Sequence, residues 1–136
     1  MTVAIQVVSP NYTAQLWPQV EGFIASSEKH SGGDYTLDQM RMYLNLGLWW
    51  LVVAVEDGQI KGAMTGTFVN YPNDRIAYVT ATGGEGICTE DSLNQLREIL
   101  KAQGATKIQA AGREAMVRML RGLGFTQRYA VVETHI

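Results

Sequence analysis

The side chains of this sequence that could act as bases or bind a metal ion are few and lie far apart. Cys88 is the only cysteine, and the two histidines are His30 and His135. A zinc site needs a cluster of such ligands, so we expect no metal site. Histidine titrates near neutrality, which makes His30 a candidate base. A lone loop histidine with no chemical role is the simpler interpretation.

Cys88 follows a glycine-rich turn and stands at the predicted start of a helix. The positive end of a helix dipole favours a thiolate and would make this cysteine reactive. However, Glu85, Glu90 and Asp91 surround the same helix start, and their negative charges oppose a thiolate. The sequence therefore favours a small buried thiol over a nucleophile.

Charge is spread unevenly along the chain. Residues 1–60 carry six acidic and two basic side chains, whereas residues 97–128 carry seven basic and two acidic ones. The net charge of −2 argues against bulk nucleic-acid binding. The basic half could attract a phosphorylated ligand or an acidic partner. A solvated helix face is the alternative, and the pattern favours it.

Length and composition predict a single globular domain over residues 1–136. Hydrophobic residues make up 46% of the chain and charged residues 18%, as in packed globular proteins. No apolar run reaches the roughly 18 residues that span a bilayer. The first residues lack the basic flank and apolar block of a signal peptide. We expect a cytoplasmic protein without a membrane span.

Hydrophobic periodicity predicts ten elements in the order β-α-α-β-β-β-α-β-α-β, an α+β protein with a central sheet flanked by helices. Strands are expected over residues 3–8, 49–56, 60–69, 75–82, 107–111 and 127–135, and helices over 14–28, 36–46, 90–103 and 113–122. The crossover from residue 82 to residue 107 should join two parallel strands and leave helix 90–103 on the face opposite the first two helices. The central sheet is therefore expected to be mixed.

Local signals mark the ends of these elements. Thr13, Thr36 and Thr89 are expected to cap the first three helices, and Asp57 with Gly58 predicts a hairpin turn. In the last helix, a set of apolar side chains is expected to face the core: Ala115, Met116, Met119 and Leu120. Phe125 is expected to be buried as well.

The element order resembles that of the GNAT (Gcn5-related N-acetyltransferase) superfamily. The hairpin of residues 53–63, the strand start at residues 76–79 and the Gly124-Phe125 pair after the last helix are similar to its conserved stretches. A closer resemblance is to small GNAT-like proteins of tailed phages, through residues 50–53, Tyr71-Pro72 and Gly112-Arg113. That group also resembles the internal virion proteins of podoviruses.

The resemblance implies an acetyl-CoA site where the strands over 75–82 and 107–111 splay apart. The backbone of Val79, Thr80 and Ala81 would bind the pantetheine arm. The family pattern Arg/Gln-x-x-Gly-x-Gly/Ala matches residues 81–86, with Ala81 in place of Arg or Gln. The residues implied in pyrophosphate binding are Gly83, Gly84 and Gly86, with Arg113 as a nearby cation. The acids around this turn would repel a pyrophosphate, so a purely structural tight turn is the favoured alternative.

Acyl transfer to an amine also requires proton transfer. Many GNAT enzymes carry a tyrosine four residues before the Gly of the Gly-Phe pair, and here that position is Leu120. Tyr78, Tyr129 and His30 are the remaining candidates. For Tyr78 and Tyr129 the alternative is an ordinary strand aromatic.

Two functions follow from the resemblance. The first is an acetyl-CoA-dependent N-acetyltransferase acting on a small-molecule or protein amine. The second is a non-catalytic GNAT-like protein that binds phage structural proteins, located in the virion or the host cytoplasm. A module that binds CoA without turnover is a third interpretation. Nucleic acid is not an expected partner.

Overall fold

A computed structural model describes residues 2–28 and 33–136. Within these residues the chain forms five strands and four helices. In chain order they are β1 (Ala4–Val8), α1 (Pro10–Glu28), α2 (Leu37–Asn45), β2 (Trp50–Glu56), β3 (Gln59–Asn70), β4 (Arg75–Gly84), α3 (Glu90–Ala102), β5 (Lys107–Ala110) and α4 (Glu114–Gly122). This order confirms the predicted α+β fold as far as α4.

The five strands form one mixed sheet in the order β1-β2-β3-β4-β5. The first four strands are antiparallel neighbours, and β5 is parallel to β4. At the start of this parallel pair, the N–H of Thr106 donates to the carbonyl of Arg75 at 2.8 Å. Lys107 also pairs with Asp74 at 3.1 Å. The predicted crossover and the predicted neighbours β4 and β5 are thus confirmed.

Each face of the sheet has its own hydrophobic core. On one face, α3 buries Leu93, Leu96 and Leu100 against β-strand residues that include Val52 and Val79. On the other face, α1 and α2 cover residues that include Val53, Ala63 and Ala81. The predicted placement of the helices on the two faces is therefore confirmed. None of the helices in residues 2–28 and 33–136 combines the length and the hydropathy that crossing a bilayer requires.

Local sequence signals fix several element ends as predicted. Thr36 caps α2 and forms a capping box with Gln39, in which each side chain binds the other's backbone N–H. Thr89 caps α3 by accepting a hydrogen bond from the N–H of Ser92 at 3.1 Å. Asp57 and Gly58 both have positive φ angles, of 53° and 74°, as a two-residue hairpin turn of the favoured twist requires.

One predicted helix start and one predicted strand are wrong. Helix α1 begins at Pro10, and Thr13 lies inside it, fully buried, instead of capping it. Proline is favoured at the first helical position because its missing N–H has no partner there anyway. Residues 127–135, predicted as a sixth strand, have no strand structure. Their pattern is that of a strand, but in this structure they do not pair with β5.

The predicted inward face of α4 is also wrong in part. No side chain of this helix is buried, and Met119 is 43% exposed. Phe125 is half-buried against the α3 core, not fully enclosed. The physical reason is that the sheet ends at β5, so there is no further strand for α4 to cover.

Candidate functional site: a cleft between β4 and β5

A β-bulge in β4 breaks the regular pairing of the sheet. Thr65 of β3 pairs with Ala81, and the next residue, Gly66, pairs with Val79, so Thr80 is the extra residue. The parallel pairing of β4 with β5 stops at the same point, with Val79 opposite Ala110. Bulges bend a strand and re-aim its side chains. Beyond this point β4 and β5 are no longer paired, at the place where the resemblance implied that the strands over 75–82 and 107–111 splay apart.

The separation opens a cleft of about 690 Å³ on the face of the sheet that carries α1. This volume is in the range of pockets that hold small molecules and cofactors. Ser26 and Ser27 at the end of α1 form one wall, and Met116 and Met119 of α4 form the other. The floor consists of β4 residues: Tyr78, Val79, Thr80, Ala81 and Thr82.

The bulged residue is tied to the protein through both its hydroxyl and its carbonyl. The hydroxyl of Tyr35 donates to the carbonyl of Thr80 at 2.6 Å. The hydroxyl of Thr80 lies 2.8 Å from that of Thr65, which is fully buried. Tyr35 is itself fixed by an edge-to-face contact with Trp49, whose ring centroid is 5.0 Å away. The bulge is therefore a preorganised part of the fold.

A second backbone group beyond the bulge is satisfied from α1. The N–H of Thr82 donates to the hydroxyl oxygen of Ser27 at 3.4 Å, a long and hence weak hydrogen bond. The side chains of Tyr35 and Ser27 thus contact β4 where a ligand's amide groups would bind if they extended the sheet. A weak bond of this kind can be exchanged for a ligand bond at little cost in free energy.

Two neutral phenols, those of Tyr35 and Tyr78, line the cleft. Burial raises the pKa of Tyr35 to about 12, and the nearby Tyr78 and Asp34 contribute to the same shift. Burial also raises the pKa of Tyr78, with Asp34 and Tyr129 adding to it. Both hydroxyls therefore keep their protons at neutral pH and can donate them in hydrogen bonds. The charged residues lining the cleft are Asp34 and Arg113.

Most of the predicted site residues fall into two groups, those that line the cleft and the glycines at and after the end of β4. Those of the cleft are Tyr78, Val79, Thr80, Ala81 and Arg113. Ala81 contributes backbone only, since its side chain is 3% exposed and packs in the core under α1 and α2. Tyr129 has a 60% exposed side chain close enough to Tyr78 to affect its pKa. His30 lies outside the described residues.

The glycines predicted to bind pyrophosphate lie next to this cleft, at the end of β4. Gly83 and Gly84 pair with Ala63 and Gly62 of β3. A Cβ atom on Gly83 would lie 2.0 Å from the carbonyl oxygen of Phe23 in α1. These two glycines are residues of β4 and not of the tight turn that the sequence favoured, and they have a packing reason that is independent of any ligand. Their binding role, like that of Gly86, remains a prediction.

Cys88 is a half-buried thiol next to this turn. Burial raises its pKa, and a contact of 3.7 Å with the hydroxyl of Thr82 only partly offsets this. The thiol therefore stays protonated, which agrees with the sequence-based interpretation. Across residues 2–28 and 33–136, no three His, Cys, Asp or Glu side chains come together as a group that could hold a metal ion.

Sequence reasoning missed the cleft residues that come from loops and from α1. Ser27 reaches β4 from α1, whereas Tyr35 and Asp34 reach the cleft from the residues directly before α2. The distance in sequence between Tyr35 and Thr80 hides their contact.

Solved structures with the same architecture include several acetyltransferases. An aminoglycoside acetyltransferase from an uncultured soil metagenomic sample, in complex with sisomicin, superposes with a TM-score of 0.71 at 12% identity, covering 98% of this chain and 95% of that one. A predicted acetyltransferase from Clostridium acetobutylicum with acetyl-CoA gives 0.64 at 15% identity, covering 98% and 96%. The chain has the GNAT fold.

A third structure with this fold is glucosamine-6-phosphate N-acetyltransferase from Arabidopsis thaliana, with a TM-score of 0.61, 10% identity and 99% coverage of both chains. At such identities the similarity establishes the fold alone. No family model matches the sequence, and no curated protein matches it either. Acetyl-CoA is bound in the structure from Clostridium acetobutylicum.

Proposed function

We propose that the protein is an acetyl-CoA-dependent N-acetyltransferase whose cleft between β4 and β5 holds the pantetheine arm. The observation that carries this proposal is the bulge at Thr80, where pairing with β3 is interrupted and pairing with β5 ends. A linear amide-containing ligand could lie along β4 there as an added strand, bound by backbone groups of residues 79–82. The cleft is large enough for such an arm.

The residues of the cleft fit acetyl-CoA better than those of the glycine-rich turn that follows β4. The cleft offers backbone groups, the apolar Met116 and Met119, and the cation Arg113. At the turn, Glu85 is exposed next to Gly84, and Glu90 and Asp91 occupy the first turn of α3. These carboxylates disfavour a pyrophosphate at the turn. We therefore assign the main contact with the phosphates to Arg113. Gly83, Gly84 and Gly86 remain the proposed neighbouring backbone contacts.

When bound, acetyl-CoA supplies an activated acyl group as a thioester. The acceptor amine must reach it as the free base, then lose a proton as its nitrogen bonds the acyl carbon, and the departing sulfur must gain one. Asp34 is the acidic group at the mouth of the cleft and would attract an ammonium ion. Tyr78 lies on the floor of the cleft with its proton retained, and we assign it the proton transfer to sulfur.

The acceptor is proposed to be a primary amine of an amino sugar or a related small molecule. Two of the solved structures with this fold are named for aminoglycoside and glucosamine-6-phosphate acetylation. The groups present here agree with a cationic acceptor, because the carboxylate residue Asp34 lines the cleft. The test is release of free thiol from acetyl-CoA in the presence of a panel of aminoglycosides, amino sugars and polyamines. Amine-dependent release supports the proposal, and release at the background rate for every amine contradicts it.

A non-catalytic function is the second candidate, and one specific observation favours it. Leu120 occupies the position at which the resemblance implied a tyrosine, and its side chain has no proton to transfer. A protein that binds acetyl-CoA without turnover would show calorimetric binding but no thiol release. Assembly with phage structural proteins, inferred from the sequence resemblance, remains a prediction of this second candidate.

A further inference from the structure

The edge of β4 that faces away from β3 has no strand partner over its last residues. Within the described residues, pairing with β5 ends at Val79. Directly after β4, the N–H of Glu85 donates to the carbonyl of Lys61, in the direction of β3, at 2.8 Å. Backbone groups alternate in direction along a strand, so the N–H of Thr82, three residues earlier, points to the open edge. An N–H group in this position needs a partner.

Two side-chain hydroxyls bind this open edge in place of a strand. The hydroxyl of Tyr35 donates to the carbonyl of Thr80 at 2.6 Å, and that of Ser27 accepts from the N–H of Thr82 at 3.4 Å. The first bond is short, and the ring of Tyr35 packs against Trp49. The second is long and comes from a half-buried side chain in the last turn of α1. A carbonyl oxygen can accept a second hydrogen bond, whereas an N–H has a single proton to donate. Only the Ser27 bond must therefore break when a ligand binds this edge.

Gly83 is the reason that Ser27 reaches Thr82. A Cβ atom on Gly83 would lie 2.0 Å from the carbonyl oxygen of Phe23 and 2.8 Å from the hydroxyl oxygen of Ser26. Helix α1 therefore rests directly on the backbone of β4 and has no room to approach it further. The part that can change when a ligand arrives is the side chain of Ser27. Rotation about its χ1 angle, which has three staggered positions, moves the hydroxyl away from β4.

We propose that Ser27 is a placeholder for the ligand, whose hydroxyl holds the N–H of Thr82 in the free protein and gives it up to a carbonyl of the bound pantetheine arm. This inference rests on the proposed binding of acetyl-CoA in the cleft, which both residues line. Each binding event then breaks the bond between Ser27 and Thr82. Ser27 therefore lowers the affinity for acetyl-CoA, although it lies in the binding site.

Calorimetric titration of acetyl-CoA into three variants of the full chain tests this inference. Ser27→Ala leaves the N–H of Thr82 free for the ligand, and we expect the affinity to rise about threefold to tenfold over that of the parent. Ser27→Thr keeps the hydroxyl and should keep the affinity of the parent. Ser26→Ala is the matched control in the same turn, because Ser26 donates to the carbonyl of Phe23 at 2.7 Å. A purely structural role of Ser27 predicts the opposite sign, since the loss of a supporting contact weakens binding.

The outcomes separate this inference from the proposed function. Binding by Ser27→Ala that is equal to or weaker than that of the parent would contradict the inference and leave acetyl-CoA binding intact. No binding by the parent or by any variant would contradict both. Amide hydrogen exchange of the free protein is a second readout, in which the Thr82 amide should exchange faster in Ser27→Ala than in Ser26→Ala. Equal exchange rates would show that Ser27 does not hold this N–H, and the inference would be wrong.

Discussion

The hydroxyl of Tyr35 donates a hydrogen bond of 2.6 Å to the carbonyl of Thr80, the bulged residue of β4. Tyr35 belongs to the chain between α1 and α2, whereas Thr80 stands where β4 leaves β5. This contact therefore fixes the side chain of Tyr35 at the cleft and stabilises the bulge in β4. A carbonyl oxygen has two lone pairs, so Thr80 can keep this bond while accepting one from a ligand.

Removing the Tyr35 hydroxyl should destabilise the fold. Tyr35→Phe leaves the Thr80 carbonyl short of a donor, and we expect a loss of about 1 kcal/mol in the free energy of unfolding. Urea unfolding measures this directly. Tyr43→Phe is the matched control, since Tyr43 stacks on Trp49 but its hydroxyl makes no hydrogen bond to residues that the structure describes. Equal stability losses in the two variants would show that the Tyr35–Thr80 bond contributes nothing.

Alkaline pH should weaken the fold through the same residue. The pKa of Tyr35 rises from 10.0 to about 12 in the folded protein. The unfolded chain therefore loses this proton at a lower pH than the folded chain does. The stabilisation is complete below 10.0 and is lost as pH rises toward about 12. Unfolding free energies measured across this interval should fall less steeply for Tyr35→Phe than for Tyr43→Phe, and identical slopes would contradict the assignment.

The glycines at the end of β4 should resist substitution for reasons of packing. A Cβ on Gly83 would lie 2.0 Å from the Phe23 carbonyl oxygen, so Gly83→Ala must push α1 away from the sheet. We expect a cost of about 1–3 kcal/mol, as for other overpacked sites. Gly22→Ala in α1 is the control, because its Cβ would meet nothing within 4 Å. That change should stabilise the helix by about 0.5–1 kcal/mol. Thermal unfolding of both variants distinguishes a packing role from a purely ligand-binding one.

Tyr78 should affect turnover more than binding. Tyr78→Phe removes the proposed proton donor, and we expect kcat for amine acetylation to fall about 10²–10⁴-fold. The dissociation constant of acetyl-CoA should stay within a few-fold of that of the parent. Tyr71→Phe is the control, because Tyr71 is 55% exposed in the turn between β3 and β4. Equal activity of the Tyr78 variant and the parent would contradict the assignment of the proton transfer to Tyr78.

Local signals in the sequence were sufficient for most of the fold. The caps at Thr36 and Thr89 and the hairpin at Asp57 and Gly58 act over two to four residues, and the structure has each of them where the sequence predicted it. The parallel pairing of β4 and β5 followed from the crossover rule, which needs only element order. These features were predictable because their physical causes are local or topological.

The rest depended on contacts that a single sequence does not show. Residues 127–135 have a strand pattern, but a pattern fixes no partner, and in this structure they do not pair with β5. The burial of α4 was overestimated for the same reason, since it required a wider sheet. For the site, the β4 residues were predicted through the resemblance, whereas Tyr35 and Ser27 were missed. Their contacts with Thr80 and Thr82 join residues 45 and 55 positions apart.

Isothermal titration calorimetry with acetyl-CoA tests the central claim most directly, because it asks whether the cleft between β4 and β5 is the binding site. Ala115→Trp places a large side chain on the exposed α4 wall of the cleft, and Ala102→Trp places the same side chain at the exposed end of α3, outside it. We predict saturable binding to the parent and to the Ala102 variant, with at least a tenfold weaker affinity for the Ala115 variant. No heat of binding with the parent, or equal affinities of the two tryptophan variants, would contradict the account.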